Sequence, residues 1–508
     1  MELHDLAAHV SVFVFAALSS FYKKPFCGTW QHPLNRLSLS LANMETKPDA
    51  VVPGTTSQRS ASRASFMNIT RPSGAVGADP GRKSGYVGDP AEEKASLASS
   101  LVNLANTVMG TGILALPAGM GTAGLIPGMS FLVITAAMGG FALYCLGQAQ
   151  LKIGPHPQSF TTLGDAVKPK FSVVVELAVI CNCLGSAIGY LIVATDNLLG
   201  ADVNCPIAGI FGTPGGSSFL DQRQVWTVVA VLVAAPLSLL KTMDALRVTS
   251  ALAVGILIAV AVLVVAVYFE PTDDLSPCGT IGETSCVGEK PNYGTFMPTF
   301  AKFVVFTNAY TCQQSLPPII SELENPTPGR LMILIYGARA LAVLADFVSY
   351  FGYMSFGVNV ASNILNSYPV NAFTTLGRFG VAIVVITSYP IQTFATRKSF
   401  ANILRTLGGG EPPKTPPSTF INDKLELMTM IVLLIFTFSV ALVVTDLGVM
   451  VGITGSTGAA AITFVFPGLF YYVTHADQPG PLRTAAFVLF IFGCVIIPVS
   501  LFLTLAGY

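Results

Sequence analysis

Beyond residue 96 the chain holds eleven apolar stretches long enough to span a bilayer: 97–118, 124–147, 172–199, 224–240, 246–269, 294–320, 331–357, 372–396, 424–445, 449–473 and 482–506. A hydrocarbon core takes about 20 helical residues to cross. Backbone in lipid must satisfy its own hydrogen bonds, so only helices and closed barrels can cross it. The short alternating strands of a barrel are absent, which leaves an all-α polytopic membrane protein with eleven transmembrane helices. Composition agrees, since 52% of the 508 residues are hydrophobic and only 11% are charged, against about 25% charged in soluble proteins. The 27 basic and 27 acidic residues cancel, and no basic footprint for nucleic acid stands out. Nine cysteines are too sparse for a disulfide scaffold.

Residues 1–95 are rich in Ser, Pro, Gly and Arg. They lack the apolar content that repays ordering entropy, which predicts a disordered tail ahead of one transmembrane domain over 96–508. Val10–Leu18 is apolar but too short to span; a targeting segment or an amphipathic helix are both open readings. Asn68 begins the only glycosylation sequon. With the tail inside, Lys152, Lys168, Lys170, Lys241, Arg247, Arg330, Arg397, Lys398, Arg405, Lys414, Lys424 and Arg483 fall in or beside inner connectors, and only Arg223 and Lys290 fall outside. The positive-inside bias therefore predicts a cytoplasmic N-terminus and, with eleven spans, a C-terminus on the opposite face. Cys205, Cys278 and Cys286 then lie in outer or lumenal connectors, where oxidation is allowed. Cys278 and Cys286 share a connector and are candidates for one disulfide, with Cys205 as the competing partner.

Two spans carry helix breakers in mid-membrane. Gly110 and Gly112 flank Thr111 in the first, with Pro117 beyond; the sixth runs Phe306-Thr-Asn-Ala-Tyr-Thr-Cys-Gln-Gln-Ser and then meets Pro317 and Pro318. These spans lie five helices apart and enter from opposite sides. That spacing predicts an inverted five-helix repeat, about 97–269 and 294–473, plus an extra helix at 482–506, with a solute held where the broken helices cross. The alternative is that glycine and proline merely permit close helix packing.

Asn103–Leu114 resembles the first-helix motif N-L-x-N-x-x-M-G-x-G-I-L of the amino acid/auxin permease family. Tyr310, Thr311, Cys312, Ser315, Pro318, Ile319, Glu322 and Leu323 fall in register with that family's sixth-helix motif. Further matches run through Pro236–Lys241, Gly352–Gly357, Tyr389–Gln392 with Arg397, Gly455–Gly458 and Pro467–Tyr471. The resemblance implies a leucine-transporter-type carrier that moves amino acids with sodium or protons. The segment Asn106–Thr111 is most similar to the vacuolar and lysosomal branches, with the plasma-membrane neutral carriers as the other home. Asn308 and Gln313 depart from the pattern, standing where the family often has Phe and His.

A zwitterion needs donors for its carboxylate and acceptors for its ammonium, and unwound backbone at half-helix ends offers both. The expected substrate site is Thr107, Met109, Gly110, Thr111, Gly112, Asn308 and Thr311, with interhelical hydrogen bonding as the competing role for each. For a coupling cation the candidates are Asn106, with Thr387 and Ser388 for sodium, and Asp346 for protons. Thr387 and Ser388 owe that role to the resemblance; back-bonding within their helix is the alternative. Asp346 sits near the middle of the seventh span, where a carboxylate must pair or protonate, and Arg339 and Lys302 are possible partners. No nucleophile elbow, zincin or phosphate-loop motif occurs, so an enzyme is not expected. No cofactor or metal beyond a possible sodium ion is expected. The expected partners are an amino acid, read as a neutral L-amino acid, and lipid, with a monomer favoured. A membrane-bound amino acid sensor signalling through the tail is the other class of function.

Overall fold

The computed structural model describes residues 96–108, 110, 112–154, 159–167, 171–199, 222–239, 247–270, 286–369, 371–408 and 424–507, without the side chains of 106, 247–251 and 405–408. The chain divides into two units after residue 89, and every described residue belongs to the second. The tail, Met109, Thr111, Cys205, Cys278 and the side chain of Asn106 lie outside the described residues.

Helices account for all eleven apolar stretches. Eight are helices long and apolar enough to cross a membrane among the described residues. These are α3 (Leu125–Ile153), α5 (Ser172–Leu199), α7 (Arg247–Phe269), α10 (Pro328–Phe356), α11 (Ala372–Gly408), α12 (Lys424–Val443), the continuous run from α13 (Leu447–Thr454) to α14 (Phe466–Thr474), and α15 (Pro481–Leu505). A ninth stretch forms the shorter α6 (Arg223–Ser238). The remaining two are each broken into half-helices: α1 (Leu97–Val108) with α2 (Gly112–Ala123), and α8 (Phe296–Ala309) with α9 (Leu316–Glu322). The connector after α3 adds the short α4 (Phe160–Val167), whose Phe160 ring packs edge-on against Phe466 and Phe470.

The two prolines of the sixth span act where their missing N–H costs least. Pro317 and Pro318 stand in the first turn of α9, where no intrahelical donor is needed. The sixth-span break therefore precedes them, with Tyr310 capping α8 and a 3-10 turn over Gln313–Ser315. Pro117 lies inside α2 and is packed by α10, where a Cβ on Gly352 would stand 2.9 Å from its ring.

α5 and the α13–α14 run lie deepest, with the two broken spans beside them. Two π-helical segments, Gly455–Ala459 and Ala461–Val465, link α13 to α14. Glycine is required there, because a Cβ on Gly455 would fall 2.3 Å from the Val304 carbonyl and one on Gly458 would fall 2.3 Å from the Asn182 nitrogen. The outer faces are apolar, as lipid demands: Val488, Val495 and Phe502 recur every seven residues along α15 at 61%, 57% and 70% exposure. α11 runs 37 residues, twelve past the expected end at 396, so Arg397 and Lys398 are helical and not in a connector.

Candidate functional site

The two breaks lie against each other. Gly112, the first residue of α2, meets Ala309, the last of α8, so closely that a Cβ on Gly112 would stand 2.7 Å from the Ala309 Cα. Only glycine lets the two backbones approach this far.

Beside that contact is a cavity of about 110 Å³, several times the ~10–15 Å³ that admits one water. Thr107 and Gly110 line it from the first-span break, Gln314 and Ser315 from the sixth-span turn, and Ser388 and Gln392 from α11. The Gln392 amide donates to the Tyr190 hydroxyl across the wall, at 3.3 Å. Leu114, Leu257, Val381 and Ile391 complete an apolar side, and among the described residues no acid or base faces in. The Gln314 side-chain oxygen is buried there with no hydrogen-bond partner. A buried acceptor without a donor costs free energy unless something else satisfies it.

The sequence-based candidates divide around this cavity. Thr107 lines it while also donating to the Asn103 carbonyl at 3.1 Å. Gly110 lines it, and Gly112 instead makes the helix contact with Ala309. Asn308 is half-buried and outside the lining. Thr311 turns the other way, donating to the Thr307 carbonyl at 2.9 Å and meeting the Thr463 hydroxyl at 3.0 Å. Ser388 faces the cavity, whereas Thr387 donates to the Ile383 and Val384 carbonyls at 2.8 and 3.0 Å. Adjacent residues on a helix point about 100° apart, so one lining the cavity turns its neighbour away.

Sequence reasoning did not assign Tyr190, Gln314, Ser315 or Gln392 to the site, although Ser315 and Gln392 lie in the matched motifs. Polar residues within apolar runs were the available signal, but nothing in their spacing said which face they would share. Gln313 was noted only as a missing histidine. In the structure it is fully buried and holds the break together. Its side-chain oxygen accepts from the Cys312 backbone N–H at 2.9 Å and from the Thr463 hydroxyl at 3.2 Å, and its amide reaches the Gly139 carbonyl at 3.5 Å. Backbone freed at membrane depth thus meets a protein partner.

Asp346 lies behind the same turn, away from the cavity. The Tyr310 hydroxyl donates to its carboxylate, Arg339 acts on it as an opposite charge without a direct ion pair, and Lys302 lies elsewhere. Lys302 lies with Asp446 along a separate cavity of about 230 Å³ beside α13 and α15. Asp196, near the end of α5, is buried and paired with Arg223. Cys286 is disulfide-bonded, and its partner lies outside the described residues.

A membrane-spanning helical bundle that crosses two broken helices beside a small uncharged cavity is built as a transporter and not as an enzyme. The chain belongs to the family of transmembrane amino acid transporter proteins, whose model matches residues 93–507. It is similar to vacuolar amino acid transporter 5 of Schizosaccharomyces pombe, 29% identical over 425 residues that cover 81% of this chain and 95% of that protein. Vacuolar amino acid transporter 6 of Saccharomyces cerevisiae is 26% identical over 447 residues, covering 79% of this chain and 97% of the other. Amino acid transporter AVT6B of Arabidopsis thaliana is 26% identical over 386 residues, 73% and 81% of the two chains.

Proposed function

We propose that this protein is a secondary carrier of neutral L-amino acids, crossing a vacuolar or lysosomal membrane eleven times as an inverted five-helix repeat plus one helix. The crossing of the two breaks beside an uncharged cavity carries this reading. At that crossing α1 ends in carbonyls and α2 begins in amides, so opposite partial charges face one small space. The substrate carboxylate binds the amides that open α2, around Gly110, Thr111 and Gly112. The ammonium binds the carbonyls that close α1, near Thr107, and the free oxygen of Gln314. With no charged side chain among the described residues of the lining, a neutral substrate side chain fits and a charged one is left without a counter-ion. Alternating access then follows from rocking of the elements around the breaks. The names of the fungal relatives support the vacuole.

A proton is the favoured coupling ion. The Asp346 carboxylate accepts from Tyr310, which caps the half-helix α8, so a proton gained or lost there acts directly on the break. Sodium held near Ser388 is the other route. The deciding experiment is flux of radiolabelled amino acids into proteoliposomes, with and without sodium and with an imposed pH gradient. Uptake that concentrates a neutral amino acid under the pH gradient is the expected result. Binding without turnover under every gradient would instead make the protein a sensor.

A further inference from the structure

Three arginines are buried in the described bundle: Arg339, Arg378 and Arg397, at 8%, 1% and 1% exposure. Two of them are held by the protein. Arg378 donates from Nε and Nη2 to the Leu365 carbonyl and from Nη2 to that of Tyr368. Arg397 donates to the Ser238 carbonyl at 3.2 Å and stands 3.8 Å from Glu426. Arg339 differs. None of its three guanidinium nitrogens has a hydrogen-bond acceptor.

Its surroundings leave its N–H donors unmet, although the Asp346 carboxylate acts on it from a distance as an opposite charge. The Tyr310 ring lies 5.7 Å from the Arg339 Cζ, which satisfies a face of the cation but none of its N–H donors. Asp346, seven residues on along α10, takes its hydrogen bond from Tyr310 and forms no ion pair with Arg339. On the α3 side the guanidinium fills a notch made by Gly139 and Gly140, where a Cβ on Gly139 would stand 2.5 Å from Nη2. The nearby Gly139 carbonyl is occupied by Gln313. A desolvated guanidinium with unused donors is a high-energy group, and an anion is the species that satisfies both its charge and its N–H bonds.

We propose that Arg339, in the slot between α3, α10 and the turn after Tyr310, binds a small monovalent anion, either a halide or a carboxylate. One positive charge in an enclosed space suits a monovalent ion over a dianion. The site is separate from the substrate cavity, because Gln314 and Ser315 face that cavity and Arg339 does not line it. Both sites nonetheless share the 310–315 turn, so the anion bears on the element that forms one wall of the cavity. The proposal holds whichever cation drives transport.

The test is thermal unfolding of the purified full-length protein in detergent at constant ionic strength. Sodium gluconate, the bulkiest of the three anions, is replaced stepwise by sodium chloride or sodium acetate. A saturable rise in midpoint is expected, since a ligand of the native state stabilises it. Arg339→Gln is expected to abolish the rise. Gly139→Ala keeps the arginine and its charge but pushes the guanidinium from its notch. It is expected to raise the half-saturating concentration at least about tenfold, the size of one lost charge-assisted hydrogen bond. If Arg339→Gln does not fold, Gly139→Ala carries the test. A rise with chloride in amino-acid-free buffer identifies a free halide as the source. A rise with acetate but not with chloride, in the same amino-acid-free buffer, identifies a carboxylate as the ligand. A wild-type midpoint unmoved by all of these anions, or a rise undiminished in both variants, would overturn the proposal.

Discussion

Tyr310 is the residue on which three neighbours converge: it caps α8, donates to Asp346 and lies under Arg339. Asp346→Asn keeps the side-chain volume but has no proton to release. Uptake driven by a pH gradient should therefore be lost while exchange of labelled for unlabelled amino acid continues, as measured in the same proteoliposomes. Sodium-driven flux at constant pH, untouched by Asp346→Asn, would move coupling to the cavity side. There the two adjacent hydroxyls are no longer equivalent. Ser388→Ala should then weaken sodium activation, and Thr387→Ala should change it little, because Thr387 is bonded to its own helix.

At the scale of elements, the half-helices are held at contact by absence of side chains, and neighbouring glycines have different work. A Cβ on Gly112 would enter the backbone of α8 at 2.7 Å. Gly112→Ala should destabilise the protein by about 1–3 kcal/mol, the usual cost of overpacking, and lower its unfolding midpoint in detergent. A Cβ on Gly110 would meet the Tyr190 hydroxyl at 3.7 Å, an ordinary contact. Gly110→Ala should unfold near the wild-type midpoint but show a raised KM, because it narrows the cavity. Equal midpoints for the two variants would remove the distinction. Both breaks were legible in the sequence, from Gly110 and Gly112 and from Pro317 and Pro318. The exact place of the second was not, because a proline at the start of a helix and one that ends a helix look alike until the partner carbonyls are placed.

Across the whole molecule, orientation and redox state are one question. A cytoplasmic N-terminus puts Cys286 on the outer or lumenal side, where its disulfide can persist. Peptide mapping without reduction should recover Cys286 joined to Cys278 or to Cys205. A free Cys286 in protein purified under blocking conditions would count against both the bond and the orientation.

What the sequence by itself determined was the bilayer as solvent, the helical class and the presence of a break in the first and sixth spans. These follow from local rules: about 20 apolar residues cross a membrane, and backbone that leaves a helix there needs a partner. The matched motifs around Asn103–Leu114 and Tyr310–Leu323 also carried the family. Only the tertiary structure decided which polar side chains share a space. Thr107, Gln314, Ser388 and Gln392 come together from three segments, while Thr311 and Thr387, adjacent in pattern to members of that set, face elsewhere. The same holds for Arg339, whose isolation is a property of its neighbours and not of its own segment. Helix rotation and approach are set by packing across the bundle, between residues up to hundreds of positions apart, and no local spacing encodes them.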